Sequence, residues 1–149
     1  MTRQERPKPD TRAAYRHLRA IPTRWMDNDV YGHVNNVTYY SYFDTLVNGY
    51  LIDQDALDIA TSPVIGLVVE TQCHYFKALA FPDLVTGALR VAHIGRSSVR
   101  YEVGIFRNDE AMCAARGHFV HVYVDRVSGR PVGALPDTLR AAIEGLKAS

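Results

Sequence analysis

Apolar residues recur at Val37, Tyr40, Phe43, Val47, Tyr50 and Leu51, the three-and-four spacing of a helix face. Tyr39, Tyr42 and Leu46 widen that face beyond a stripe, as happens when a helix is covered on most sides. Aromatic and β-branched residues crowd its first turns, so intrinsic propensity is mediocre and burial must supply the stability. The pattern predicts one long, wrapped helix with Asn35 or Asn36 as N-cap, its last turn running through Asn48 and Gly49 towards Asp53.

After Pro63 the period changes. Residues 64–77 and 84–94 are β-rich and are separated by a turn at 80–83. Beyond a break at Gly95-Arg96, Val99, Tyr101, Val103 and Ile105 alternate with Ser98, Arg100, Glu102 and Gly104, the period of a strand with one covered face. A turn at Asn108-Asp109-Glu110 leads into a strand over 111–125, with Phe119, His121 and Tyr123 on one face and Val120, Val122 and Val124 on the other. A short strand over 21–26 precedes the long helix, and a short helix over 136–147 follows the last strand, with Pro136 near its first turn. Short turns imply antiparallel neighbours. The predicted class is α+β: one curved antiparallel sheet wrapped around a long central helix, with a short C-terminal helix. Residues 1–18 read as an N-terminal tail and 19–149 as a single domain.

Composition narrows the function classes. With 149 residues the chain has the size of one domain. Its 17 basic and 16 acidic residues nearly balance, which argues against nucleic acid as a partner. The polar N-terminal stretch lacks the apolar segment of a signal peptide or anchor, and there is no apolar run of bilayer length; a soluble, cytoplasmic protein with no membrane association is expected. Cys73 and Cys113 lie in apolar stretches without a C-x-x-C spacing and read as buried free thiols. His118 and His121 point to opposite faces of one strand, and the histidines form no metal set.

From the end of the first strand, through the Asp27 to Gly32 loop and into the start of the long helix, runs Arg24-Trp25-Met26-Asp27-Asn28-Asp29-Val30-Tyr31-Gly32-His33-Val34-Asn35-Asn36, with two carboxylates one residue apart and a glycine for a sharp bend. Together with Tyr39 it resembles the R-[WYF]-x-D-x-D-x-x-G-H-V-N-N-x-x-Y signature of hotdog-fold acyl-CoA thioesterases, the 4-hydroxybenzoyl-CoA thioesterase-like family, at every fixed position. It departs from the 4-hydroxybenzoyl-CoA enzyme's own D-x-D-P-A-G version at Val30-Tyr31 and through His33 to Asn36.

The resemblance implies a hotdog fold, a homodimer or homotetramer built as a dimer of dimers, and an acyl-CoA substrate, with coenzyme A as part of substrate and product and no separate cofactor or metal. It implies that Asp29 is the reacting carboxylate, as nucleophile or general base, and that Asp27 is its less reactive neighbour. It also implies that Gly32, His33, Asn35 and Asn36 form the oxyanion segment at the helix start. Such a pairing suits thioester hydrolysis, which needs activated water or a nucleophile and donors where charge develops on oxygen. Tyr31 and Tyr39 are candidate acyl contacts. Arg96, Ser97 and Ser98 are candidate contacts for coenzyme A phosphates, with Lys77, Arg100, Arg116 and Arg126 as further cations without a motif. Two other readings stay open: a non-catalytic hotdog protein that binds acyl-CoA or a partner, and a hotdog hydratase or dehydratase.

Overall fold

The computed structural model describes residues 6–147. Its elements are β1 (His17–Pro22), α1 (Asn36–Asp53), β2 (Val64–Tyr75), β3 (Leu84–Ile94), β4 (Ser98–Arg107), β5 (Ala115–Asp125) and α2 (Asp137–Glu144). The five strands form one sheet in the order β1-β3-β4-β5-β2, every neighbouring pair antiparallel. The inward residues Val99, Tyr101, Val103 and Ile105 of β4 and Phe119 and Tyr123 of β5 form one core with α1. That core follows the predicted alternation, with the face carrying Phe119, His121 and Tyr123 buried.

The buried set on α1 is Tyr39, Tyr42, Phe43, Leu46, Val47, Tyr50 and Leu51. Val37, expected on the core face, is instead 67% exposed. From α2, Leu139, Ala142 and Ile143 close the core beside the end of α1, where the Tyr50 hydroxyl donates to Ala142 O at 2.7 Å. Among the described residues no helix is long and apolar enough to cross a membrane.

Four expectations need correction. The first strand is His17–Pro22 rather than 21–26, so Pro22 ends it and Trp25–Asp27 forms a 3-10 turn. That strand begins inside the segment read as a tail. The residues before it are also tied down: Tyr15 is buried against Phe106, and the Asp10 carboxylate meets Arg90 and Arg116. Residues 1–5 of that segment lie outside the described residues. Lastly, β5 starts at Ala115 rather than 111, and α2 stops at Glu144 rather than 147.

Direction along the sheet decides what can meet. The end carrying Pro22, Tyr75, Leu84, Arg107 and Ala115 faces the start of α1, and the end carrying His17, Val64, Ile94 and Ser98 is opposite. β2 forms one outer edge.

Candidate active site

The loop that enters α1 is held by Asp27. Its side chain is 2% exposed and accepts from Arg24 N at 2.9 Å, Arg24 Nε at 3.0 Å and the Tyr42 hydroxyl at 2.7 Å. Burial pushes its pKa up, but the bonds from Tyr42 and Arg24 and the Arg24 charge outweigh it, and the net shift is downward. Asp27 is thus a fully engaged anchor, and its backbone O also takes the Asn35 N–H at 2.9 Å.

From that anchor the chain makes a small hairpin. Asp29 N donates to His33 O at 2.9 Å, and Gly32 N donates to Asp29 O at 3.0 Å. Gly32 has φ +79, a left-handed conformation that glycine adopts without steric cost and that three-residue hairpin loops require. Asp29 Oδ1 accepts from Tyr31 N at 2.9 Å, an Asx turn that fixes the carboxylate. Among the described residues its Oδ2 has no hydrogen-bond partner. The neighbouring aspartates are therefore unlike, one spent on the fold and one with an oxygen to spare.

α1 starts where the hairpin ends. Asn35 is the N-cap, its Oδ1 accepting from Val37 N at 3.0 Å, and Thr38 N donates to Asn35 O at 2.9 Å. Gly32 N is taken by Asp29 O, Val34 N by Leu79 O and Asn35 N by Asp27 O. Among the described residues the N–H groups of His33 and Asn36 alone in the stretch 32–36 have no acceptor. Unspent N–H groups at the positive end of a helix favour negative charge.

Two clefts flank this stretch. A cleft of 620 Å³ is lined by Trp25, Asn28, Asp29, Val30, Tyr31, Gly32 and Asn35. A second of 310 Å³ is lined by residues including His33, Asn36, Tyr39, Tyr75 and Lys77. The rim of the first is apolar and open: Val30 is 94% exposed, Tyr31 84% and Trp25 79%, with Trp25 against Phe81 at 6.0 Å. Tyr39 is buried and meets Tyr75 edge-on at 4.9 Å.

Asp29, Tyr31, Gly32, His33, Asn35, Asn36 and Tyr39 thus converge on one region. Arg96, Ser97 and Ser98 do not join them within one chain. They sit at the turn between β3 and β4, separated from the hairpin by the length of β3, about 30 Å at the usual rise per residue. Sequence reasoning missed two residues of this region. Tyr75 donates from its hydroxyl to Asn36 O at 3.1 Å, and Asn28 Oδ1 accepts from Phe81 N at 2.9 Å. Both bonds join segments 39 or more residues apart, beyond any local periodicity.

A family model described as "Thioesterase-like superfamily" matches residues 23–143. The crystal structure of the PA5185 protein from Pseudomonas aeruginosa strain PAO1 is 51% identical, with a TM-score of 0.92, covering 95% of this chain and 99% of that one. A thioesterase from Thermus thermophilus, crystallised with coenzyme A and Zn, is 29% identical, with a TM-score of 0.72, covering 89% of this chain and 95% of that one. The YsmA protein of Bacillus subtilis strain 168 is 22% identical over 126 residues, 85% of this chain and 84% of that protein.

Proposed function

The chain belongs to the thioesterase-like superfamily and has its hotdog fold, and from that premise we propose that it hydrolyses the thioester of an acyl-CoA to a free carboxylic acid and coenzyme A. The observation that carries the reading is the pairing of Asp29, with one oxygen held and one unspent, with unspent N–H groups on His33 and Asn36 at the start of α1. The likeness to a thioesterase that binds coenzyme A supports the choice of thioester.

Two routes use these groups. In one, Asp29 takes a proton from water as the water oxygen bonds to the thioester carbon. In the other, Asp29 itself attacks, forming a mixed anhydride that water then opens. In both, the carbonyl oxygen becomes an oxyanion stabilised by the His33 and Asn36 N–H groups, an effect commonly worth about 3 kcal/mol per donor. The C–S bond then breaks and coenzyme A leaves as its thiolate; in the first route it takes back the proton that Asp29 drew from water, and in the second it takes one from solvent, balanced by the proton released when water opens the anhydride. Gly32 permits the turn that aims the segment and Asn35 caps the helix behind it, while the His33 side chain is available to hydrogen-bond substrate. Coenzyme A is part of the substrate and is released as a product, and no resident cofactor is invoked.

The edge position of β2 supports a proposed assembly. Pairing β2 with the β2 of a second copy about a two-fold axis would turn the Arg96 to Ser98 end of each chain towards the partner's Asp29 end, offering cations to the phosphates of coenzyme A. On this ground we propose a homodimer; a homotetramer built as a dimer of dimers rests on the resemblance alone. The free thiols Cys73 and Cys113 fit a reducing compartment such as the cytoplasm.

Thiol release from a panel of aliphatic and aromatic acyl-CoAs tests the activity. Turnover of at least one member is expected. Binding of acyl-CoA with no turnover across the panel would overturn hydrolysis in favour of a binding role.

A further inference from the structure

Asn36 carries one of the two unspent N–H groups, so whatever fixes Asn36 aims the donor. On the helix side the first turn is fixed by Asn35, through its cap on Val37 N and its O on Thr38 N. On the sheet side, among the described residues, one side chain hydrogen-bonds to it. Tyr75, the last residue of the edge strand β2, donates from its hydroxyl to Asn36 O at 3.1 Å and packs its ring edge-on against Tyr39 at 4.9 Å and 88°. It lines the same 310 Å³ cleft as His33 and Asn36.

We propose that Tyr75 is a positioning residue for the hydrolysis: its hydroxyl pins the Asn36 carbonyl to the sheet and thereby aims the Asn36 N–H at the developing oxyanion. The inference rests on the thioesterase reading above. Its physical basis is the narrow distance window, about 2.7–3.1 Å, within which an oxyanion donor is effective. Donation to the Asn36 carbonyl also polarises the peptide that carries Val37 N–H, strengthening the cap bond from Val37 N to Asn35. Partial desolvation of this half-exposed residue raises the Tyr75 pKa above its ordinary value, so the hydroxyl keeps its proton near neutral pH. The clamp joins the helix start to the strand that forms the open edge of the sheet.

The test is Tyr75→Phe, which keeps the ring on Tyr39 and removes the hydroxyl that donates to Asn36 O. Steady-state kinetics on the best acyl-CoA should show kcat lowered about tenfold, the loss of one aligned hydrogen bond, with KM within about twofold. The Asn36 amide resonance of the free protein should shift, and its hydrogen exchange should speed up. An unchanged kcat would overturn the proposal. So would a raised KM at unchanged kcat, which marks a substrate contact, or a loss of kcat with the Asn36 amide unmoved. Absence of turnover by the wild type on every acyl-CoA would overturn the hydrolase reading itself, and the Asn36 amide separates that failure from failure of the clamp.

Discussion

Asp27 and Asp29 occupy equivalent places in a D-x-D pattern but have opposite surroundings. Asp27→Ala leaves the Tyr42 hydroxyl and the Arg24 donors without their buried acceptor, and should cost about 3 kcal/mol in urea unfolding. Its depressed pKa adds a sign: the stability it contributes is present above the unfolded carboxylate pKa of about 4 and is lost as pH falls through the lower folded value. Asp29→Asn should behave in the reverse way. One oxygen of Asp29 serves an exposed Asx turn that an asparagine also makes, so the thermal midpoint should hold within about 2 °C. Meanwhile kcat should fall about a thousandfold, as for a lost general base. Equal thiol release by wild type and Asp29→Asn would remove Asp29 from the reaction. The sequence favoured Asp29 over Asp27 as the reacting residue by resemblance alone. The Tyr42 partner was not legible there, because a hydroxyl fifteen residues further on reaches Asp27 only once α1 packs under the loop.

At the scale of the element, α1 shows why periodicity places a helix more readily than its face. The buried positions 39, 42, 43, 46, 47, 50 and 51 are one regular stripe. Val37 and Tyr40 lie beside it with equally apolar side chains, so the pattern could not tell core from flank. Leu46 is fully buried, and Leu46→Ala should cost about 3 kcal/mol by cavity formation. Val37→Ala should stay within about 0.5 kcal/mol in the monomer, as for an exposed site. Equal losses on urea titration would show that Val37 is covered in solution. The strand-turn-strand run from 64 to 125 was legible because its segments are β-rich and joined by short turns, and because β4 and β5 each bury one face. Placement of β1 was not: Pro22 can start or end an edge strand, and the choice fell to the register of residues 17–22 against β3, 62 or more positions away.

For the whole molecule, acid and assembly are the two levers. His121 is 3% exposed and bonded through Nδ1 to the Tyr123 hydroxyl at 3.1 Å, and burial pulls its pKa down to about 4. The folded state therefore binds fewer protons than the unfolded chain between about pH 4 and the ordinary histidine value of about 6.5. Stability from this group is full above that upper value and is lost as pH falls towards 4, by up to about 3 kcal/mol. His121→Gln should flatten the pH dependence of the urea midpoint in that window. Assembly concerns β2, whose outer side has no strand neighbour among the described residues and whose Leu67, Val68 and Val69 are 48%, 45% and 60% exposed. An apolar edge of this length attracts another strand, and a lysine on such an edge opposes pairing through charge and desolvation. If two copies join there, light scattering should give at least twice the 16.7 kDa of one chain, and Val69→Lys should return the mass to that of one chain. Because the proposed phosphate contacts at Arg96 to Ser98 come from the partner, the same substitution should raise KM for acyl-CoA. It should leave KM for the acyl-pantetheine, which lacks those phosphates, much less affected. A Val69→Lys variant that kept the wild-type mass would show that the copies do not meet along β2, and would leave Arg96 to Ser98 without a route to the site.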